Sequence, residues 1–524
     1  MSFKGELREY QEVAKGLITE RGKALLALDL GTGKTVVSIA AIEELREAGK
    51  IKCALLIMSS SLTKQWEERI AQFTDSTAIV VDGSISPKKR SDILKNAIHN
   101  PPDYLVVGIR QVVSDLTFIQ KIKPDLVLVD EVTCIKNFAT QQTKTIKKLK
   151  TSYRVGLTAE PIENGKAEEL FSIMQWIDDS VFGHWQEFDS RYIERNKYNM
   201  VVGYNNMDEL NQKLMTACVS KRREDPDVSS FMPTVEEYNV YVEMDDETRV
   251  VYRGIARELL QALYSAGPRD YIDIERAYGE RNGKSSSDGS HELGPITSRL
   301  LALHLLLDDP SVLEASARAY DDPTTDGGSK YANGLWKAGK LPSTGFQGAK
   351  LETCLELVHE YMEKPEHKVI IFARFKSILY TLAEELKEYG PVLFTGDLNG
   401  EQRGAAISAF TNNDGVRLFL SSDAGGYGVD LFRASHLINY DLPQSSGTFK
   451  QRNGRHVRAS STFRTVFIDN LIVADSVEEY QLARLNYKAK VSHAALTGMS
   501  DSDGRVANDA KSLTRHLEIY LGEK

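Results

Sequence analysis

The chain has 524 residues, a length typical of about three or four domains and sufficient for more than one hydrophobic core. Hydrophobic residues make up 41% and charged residues 27%, which excludes a fibrous or broadly disordered protein. The net charge of −9 argues against a protein that coats nucleic acid through bulk positive charge, although an acidic body can still carry a locally basic groove.

Membrane and metal signals are weak. No apolar run approaches the ~18 residues that a membrane helix needs, and residues 1–11 contain no apolar signal region. The four cysteines are far apart, so they form neither a C-x-x-C pair nor a zinc-binding spacing. We therefore expect a cytoplasmic protein whose thiols are reduced and structural, with no membrane partner.

Residues 1–204 alternate short apolar runs with helical patterns, as expected for an α/β lobe with a doubly wound parallel sheet. Strands are predicted at 23–28, 54–58, 104–108 and 126–129, and helices at 35–48 and 62–73.

Residues 205–349 are predicted to form a helical insertion or linker region. Helices are expected at 248–263 and 296–307, a polar loop at 285–290, and a long loop at 321–348. The Leu-rich face of segment 297–313 is expected to be core rather than a partner site, and His304 within it a packed histidine rather than a metal ligand.

The α/β pattern returns in residues 350–490, which predicts a second lobe with the same architecture. Strands are expected at 369–372, 392–394, 416–420, 436–439 and 466–468, and helices at 378–386 and 403–410. Residues 491–524 are predicted to contain one helix, at 512–521.

A phosphate-binding loop is predicted between the first strand and the first helix. Small residues there let backbone N–H groups approach phosphate oxygens, and the helix N-terminus favours anions. A lysine can then reach the β- and γ-phosphates and a hydroxyl can hold Mg²⁺. The residues in these positions are Gly31, Thr32, Gly33, Lys34 and Thr35, although Leu28 replaces the usual first glycine.

Two carboxylates follow the apolar strand at 126–129. In a parallel sheet this places Asp130 and Glu131 at the carboxyl edge, where ligands bind. We expect Asp130 to hold Mg²⁺ together with Thr35, and Glu131 to orient and deprotonate a water molecule.

Arginines three residues apart, Arg455 and Arg458, occur in the second predicted lobe. Two such side chains can face the same way at the start of a helix or in a tight turn. Arginine binds phosphate through two donors, so this pair is expected to contact the γ-phosphate as arginine fingers.

The order of motifs from residue 7 to about 490 resembles the Swi/Snf-type branch of superfamily-two helicases. In the first lobe, 7–11 (LREYQ) resembles the motif whose glutamine, here Gln11, reads adenine. Residues 29–35 resemble D-x-x-G-x-G-K-T, and 61–68 resemble the S-L…W…E segment beside the DNA backbone. Residues 130–137 resemble D-E-x-H-x-x-K-N, and 156–164 resemble the coupling motif T-G-T-P-x-x-N.

The second lobe continues the resemblance. Residues 421–431 (SSDAGGYGVDL) closely resemble S-x-x-A-G-G-x-G-x-N-L, and 476–479 resemble the closing T-V-E-E segment. Three positions depart from the family pattern: Thr133 replaces a histidine, Ala159-Glu160 replace Gly-Thr, and Asp430 replaces an asparagine. The first two are expected to affect how DNA binding triggers hydrolysis.

The resemblance implies two RecA-like lobes with a helical insertion between them and ATP bound with Mg²⁺. It adds Gly428 and Asp430 to the nucleotide-binding residues. It implies sequence-independent contacts to duplex or branched DNA, for which the candidates are Ser61, Lys64, Ser421, Ser422, Gly425 and Gly426.

Three functions are compatible with these motifs. They are a DNA-stimulated ATPase that translocates on duplex DNA, a helicase that separates strands of forked DNA, and an ATP-gated DNA clamp with little turnover. The first two are favoured because Lys34, Glu131 and Arg455 are all present. We expect a minimal bacterial or viral enzyme of replication, recombination or repair, whose protein partners the sequence does not indicate.

Overall fold

The computed structural model of the chain separates into two compact units. The first contains Met1–Met232, Val457–Ala459 and Tyr487–Val506, and the second contains Pro233–His456, Ser460–Asn486 and Ala507–Lys524. The structure describes residues 3–197, 199, 201–266, 294–322, 328–341, 347–423, 430–498 and 509–523.

The first unit is built on a seven-stranded sheet in which every pairing is parallel. Its strands are β1 (Lys23–Leu28), β2 (Ala54–Met58), β3 (Ala78–Val81), β4 (Tyr104–Gly108), β5 (Leu126–Val129), β6 (Tyr153–Thr158) and β9 (Cys218–Lys221). The strand order is β3-β4-β2-β5-β6-β1-β9, so the chain starts next to one edge at β1, crosses to β2 and the opposite edge at β3, and returns through β4, β5 and β6 before it adds β9 beside β1.

Ten α-helices are described within Met1–Met232 of this unit, and those between successive strands make the crossovers that parallel pairing requires. They are α1 (Glu9–Gly16), α2 (Lys34–Glu47), α3 (Thr63–Phe73), α4 (Pro87–His99), α5 (Ile109–Ile122), α6 (Gln141–Ile146), α7 (Ala167–Ile177), α8 (Trp185–Tyr192), α9 (Met207–Met215) and α10 (Pro226–Ser229). A short antiparallel hairpin, β7 (Ile193–Arg195) with β8 (Val201–Tyr204), lies between α8 and α9.

Both faces of the first sheet are buried, which explains its uninterrupted apolar strands. In β1, Leu25 and Ala27 join one core cluster, whereas Leu26 and Leu28 join another. Successive side chains of a strand point to opposite faces, so a strand covered on both sides must be apolar at every position.

The second unit contains a six-stranded sheet, also parallel throughout. Its strands are β10 (Thr234–Val242), β11 (Val369–Phe372), β12 (Val392–Phe394), β13 (Leu418–Ser421), β14 (His436–Asn439) and β15 (Thr465–Val473), in the order β10-β15-β14-β11-β13-β12.

The remaining helices are α11 (Asp246–Tyr264), α12 (Pro295–Asp308), α13 (Pro310–Ala319), α14 (Lys330–Lys337), α15 (Ala349–Met362), α16 (Lys376–Glu385), α17 (Gly400–Asn412), α18 (Ser446–Asn453), α19 (Val477–Thr497) and α20 (Asp509–Leu521). The leucines of α12 are buried in the core that also contains Val369 and Ile371 of β11, so the prediction that this segment is core is confirmed. His304 is likewise buried.

The two parallel-sheet α/β lobes confirm the predicted fold class. Within residues 205–349, however, the structure contains two strands that were not predicted. β9 pairs with β1, and β10 pairs with β15 along nine residues. β10 lies at a sheet edge with most side chains exposed, so it lacks the continuous apolar run on which the predicted strands were based.

Helix α14 also falls in a segment predicted to be a loop, 321–348. Its N-terminus is capped by Ser329, whose side chain accepts a hydrogen bond from the Ala332 N–H. This helix is only eight residues long, and the Gly, Ser and Asp residues around it are typical of loops, so the sequence did not indicate a helix. The predicted polar loop at 285–290 lies outside the described residues.

In the described part of the chain, no helix combines the length and apolar character needed to cross a bilayer.

Candidate nucleotide site

The predicted phosphate loop connects the end of β1 to the start of α2. Gly31 (φ 80°) and Gly33 (φ 91°) both adopt left-handed backbone conformations that favour glycine. A Cβ atom at Gly33 would also collide with the Gln11 side-chain amide. The loop therefore requires glycine at both positions, and it leads directly into a helix N-terminus that can bind an anion.

The Lys34 side chain folds back onto this loop. Its Nζ donates hydrogen bonds to the carbonyl oxygens of Leu28 (2.7 Å) and Asp29 (3.2 Å). Burial lowers the pKa of Lys34, and the nearby carboxylates of Glu131 and Asp130 oppose that shift. The lysine is thus held within the electrostatic range of the acidic pair.

The carboxylate of Asp130 is clamped on both oxygens. Oδ2 accepts a hydrogen bond from Trp66 Nε1 (2.8 Å), and Oδ1 accepts one from the Glu131 backbone N–H (3.0 Å). Burial raises the pKa of Asp130, and the hydrogen bond from Trp66 is the largest opposing influence. Asp130 is therefore fixed in one orientation at the end of β5.

Glu131 has an unusual backbone conformation. Its φ of 50° is left-handed, which costs a residue with a side chain on the order of 1 kcal/mol. Glu131 directly precedes a 3₁₀ turn, Val132–Ile135, and its left-handed backbone leads into that turn. Strain of this kind is concentrated at functional sites.

Asp130 offers a fixed carboxylate of the kind that Mg²⁺ prefers, and Thr35 offers a hydroxyl in the first turn of α2. This ion is usually held by one or two carboxylates together with water and substrate phosphates. Among the described residues, no group of three or more His, Cys, Asp or Glu side chains could hold a metal alone. A single fixed carboxylate beside a phosphate loop is thus the donor set expected for a Mg²⁺–nucleotide complex.

The first turn of α1 contacts the phosphate loop. Both the Tyr10 hydroxyl (2.7 Å) and Gln11 Nε2 (2.9 Å) donate to the carbonyl oxygen of Thr32. The Arg8 guanidinium lies 3.7 Å from the centre of the Phe231 ring, which also stacks on Tyr10. Phe231 was not predicted as a site residue, because no local pattern links position 231 to this loop.

The predicted coupling motif contacts the turn that follows Glu131. Thr133 Oγ1 donates to Glu163 Oε1 (2.8 Å), and Lys136 forms an ion pair with Glu163. Glu169 in turn accepts hydrogen bonds from the backbone of Glu163 (3.0 Å) and the side chain of Asn164 (2.6 Å). Glu163 lies within the predicted coupling motif, 156–164, but the sequence did not indicate a role for it.

Of the two predicted arginine fingers, Arg458 lies in the first unit, beside the phosphate loop. A Cβ atom built on Gly31 would lie 3.0 Å from Arg458 Cδ, and Arg458 contributes to lowering the pKa of Lys34. Arg455 is buried in the second unit, where its carbonyl oxygen accepts a hydrogen bond from the Leu431 N–H (2.9 Å). The catalytic roles of both arginines stay predictions.

A third arginine, Arg452, was missed. It is 2% exposed and donates from Nε (2.5 Å) and Nη2 (2.8 Å) to the two carboxylate oxygens of Asp423, and from Nη1 (2.7 Å) to the Asp441 carbonyl oxygen. This paired, buried geometry anchors α18 within the second unit. Its signal in the sequence was only the spacing of three arginines three residues apart.

The predicted DNA contacts differ in exposure. Ser61 and Lys64 are exposed, whereas Ser421 and Ser422 are buried, and Ser421 Oγ donates to the Ser422 carbonyl oxygen (3.1 Å). Because both hydroxyl groups are buried, the structure does not support the predicted direct contact of Ser421 or Ser422 with DNA. Asp430 is partly buried, and Gly425, Gly426 and Gly428 lie outside the described residues.

Comparison with known proteins places these features in one class, that of two-lobed ATPase folds. The SNF2-related domain matches residues 14–288, and the helicase conserved C-terminal domain matches residues 349–460. Because the first match covers just over half of the chain, the chain belongs to the SNF2-related family.

Two curated relatives from Bacillus subtilis illustrate the similarity. "Putative ATP-dependent helicase/translocase YwqA" is 24% identical over 91% of this chain and 47% of its own length. "Uncharacterized ATP-dependent helicase YqhH" is 25% identical over 94% of this chain and 79% of its own length. The chain thus spans less than half of the first relative.

A solved structure shows the same fold. The Pyrococcus furiosus Hef helicase domain aligns with a TM-score of 0.50 and 16% identity, covering 91% of this chain and 98% of the other.

Proposed function

We propose that the protein is an ATP-dependent DNA translocase or helicase, which couples ATP hydrolysis to movement on duplex or branched DNA in replication, recombination or repair. One arrangement carries the nucleotide-hydrolysing part of the proposal: the loop with Lys34 follows β1 and the fixed Asp130–Glu131 pair follows β5, so both lie at the carboxyl edge of one parallel sheet. The names of the two Bacillus subtilis relatives agree with it.

The binding step would change the partners of Lys34. In the present structure its ammonium group is bound to two loop carbonyls. The β- and γ-phosphates of ATP would replace those carbonyls, because a phosphate oxygen carries a full charge and a carbonyl only a dipole. Thr35 and Asp130 would hold Mg²⁺, which neutralises phosphate charge when bound.

The hydrolytic step is assigned to Glu131. Its carboxylate would accept a proton from a water molecule as the water oxygen bonds to the γ-phosphorus. The bond from that phosphorus to the bridging oxygen of ADP breaks, so the products are ADP and phosphate. Arg455 and Arg458 would stabilise the charge that develops on the transferred group.

DNA binding is assigned first to the exposed pair Ser61 and Lys64. A hydroxyl and an ammonium group suit phosphate contacts, which position DNA without reading its sequence. The predicted contacts of the second lobe, at Gly425 and Gly426, would add backbone N–H donors.

An ATPase assay tests the proposal with no nucleic acid, single strands, duplex, forked DNA and RNA. We expect duplex or forked DNA to stimulate most, and Lys34→Ala or Glu131→Gln to abolish turnover. Lys50→Ala replaces an exposed lysine just beyond α2 and should behave as wild type. Stimulation by RNA above DNA would overturn the substrate assignment.

A second assay separates the three candidate activities. Displacement of a third strand from a triplex without strand separation identifies a translocase, and release of single strands from a fork identifies a helicase. ATP-dependent retention of DNA with negligible turnover in the wild type would instead identify a clamp.

A further inference from the structure

Trp66 links two regions that the proposed function treats separately. It lies on α3, two residues after the exposed Lys64, and is itself only 1% exposed. Its indole Nε1 donates a 2.8 Å hydrogen bond to Oδ2 of Asp130, which lies 64 residues further along the chain. A predicted DNA-contacting segment is therefore one hydrogen bond away from a predicted Mg²⁺ ligand.

Loss of this hydrogen bond would be energetically costly. The indole N–H is a donor only, and a buried donor that loses its acceptor is costly. The acceptor is a carboxylate, and hydrogen bonds to charged acceptors are among the strongest in proteins. Since Oδ1 is already bound to the Glu131 N–H, Trp66 is the contact that fixes the rotation of the carboxylate.

The N-terminal turn of α3 is itself firmly attached to its surroundings. Thr63 Oγ1 lies 3.0 Å from both the Ser60 carbonyl oxygen and Asp82 Oδ2, which share its single hydroxyl hydrogen. The Trp66 backbone N–H donates to the Leu62 carbonyl oxygen, also at 3.0 Å. A phosphate group bound by Ser61 or Lys64 would therefore contact the same fixed turn that holds the indole in place.

We propose that Trp66 is a positioning residue that transmits DNA engagement at the start of α3 to the Asp130 carboxylate. DNA bound at Ser61 and Lys64 sets the position of the indole, and the indole sets the orientation in which Asp130 meets Mg²⁺. The inference rests on the proposed function and deepens it.

Trp66→Phe removes the N–H and keeps an aromatic ring, and Trp176→Phe is the matched control. Trp176 is equally buried in the same unit, and its Nε1 donates instead to the Leu149 carbonyl oxygen (3.2 Å). Two quantities are measured: the ratio of duplex-stimulated to unstimulated ATPase, and the Mg²⁺ concentration that half-saturates binding of a fluorescent ATP analogue without DNA.

We expect Trp66→Phe to lower the ratio about tenfold and to raise the half-saturating Mg²⁺ concentration about tenfold, as residues that orient metal ligands commonly do. Trp176→Phe should change both by less than about twofold. If Trp66→Phe matches the control in either quantity, the inference is overturned. If wild-type protein shows no stimulation by DNA, the proposed function fails instead.

A fluorescence measurement covers the case in which Trp66→Phe does not fold. The triple variant Trp176→Phe, Trp185→Phe and Trp336→Phe retains Trp66 as its sole tryptophan. Its emission should shift when Mg²⁺–ADP binds and shift again when duplex is added. Emission that responds to neither addition would contradict the proposed link.

Discussion

At the scale of single residues, hydrogen bonds from neighbouring groups fix the orientation of the predicted catalytic residues. Asp130 is fixed by Trp66 and by its own neighbour, and the turn after Glu131 is fixed by Glu163. These supporting contacts matter because a metal ligand or a general base acts only in a narrow range of orientations.

Glu163 provides the first prediction at this scale. Glu163→Ala leaves Thr133 and Lys136 without their acceptor, so we expect the DNA-stimulated kcat to fall about tenfold while KM for ATP changes less. Glu163→Gln keeps an acceptor for Thr133 and should fall between Ala and wild type. Equal loss in the Ala and Gln variants would show that only the charge matters.

Asp469 provides a prediction about pH. Burial raises its pKa to about 6 from 3.8, although the Tyr361 hydroxyl donates to it at 3.0 Å. Between about pH 4 and 6 the folded protein binds a proton that the unfolded chain has lost, so stability decreases as pH rises. Over this pH window the free energy of unfolding falls by up to about 3 kcal/mol.

Asp469→Asn should remove that dependence. We expect the variant to melt above wild type at pH 7 to 8 and to match it near pH 4, as measured by calorimetry across the pH range. Asp397→Asn alters an exposed carboxylate and serves as the control. A parallel pH dependence in Asp469→Asn and wild type would refute the assignment.

At the scale of elements, buried charges join helices of the second unit. Lys350 of α15 lies 2.6 Å from Glu478 of α19 and 3.4 Å from Asp308 of α12, and all three side chains are at most 2% exposed. The ammonium group reaches both carboxylates only when the three helices are packed together, so these ion pairs specify the arrangement of the helices.

Lys350→Met tests the network. It leaves two buried carboxylates without their cation, and we expect a loss of about 3–5 kcal/mol in the free energy of unfolding. Lys387→Met removes an exposed ion pair with Glu384 and should leave the free energy of unfolding close to that of wild type. Denaturant titration of both variants measures the difference, and similar values would exclude a structural role for the network.

At the scale of the whole molecule, the two units repeat one architecture but carry different parts of the predicted chemistry. The phosphate loop and acidic pair belong to the first unit, and Arg455 belongs to the second. The proposed function therefore predicts that substitutions in either unit lower turnover, whereas nucleotide binding depends mainly on residues of the first.

The arginines test this division. Arg455→Ala and Arg458→Ala should lower kcat on the order of 10³-fold, with a smaller effect on nucleotide affinity, since arginine fingers act on the transition state. Arg452→Ala should instead lower the melting temperature, because it leaves the buried carboxylate of Asp441 without its cation. Loss of affinity equal to the loss of kcat at Arg455 would argue for a binding role.

The local features of this protein could be read from its sequence. The continuous apolar runs predicted most strands, because a strand covered on both faces is apolar at every position. The glycines, Lys34 and Asp130–Glu131 could be placed because a phosphate loop and a strand-end acidic pair depend on spacing within a few residues.

Contacts between distant segments could only come from the tertiary structure. Trp66 meets Asp130 across 64 positions and Thr133 meets Glu163 across 30, and no local pattern encodes either pairing. The exposed edge strand β10 was recognisable only through its partner β15. The reason is physical: periodicity reports which side of an element is buried, whereas the identity of its neighbour depends on how all the elements pack at once.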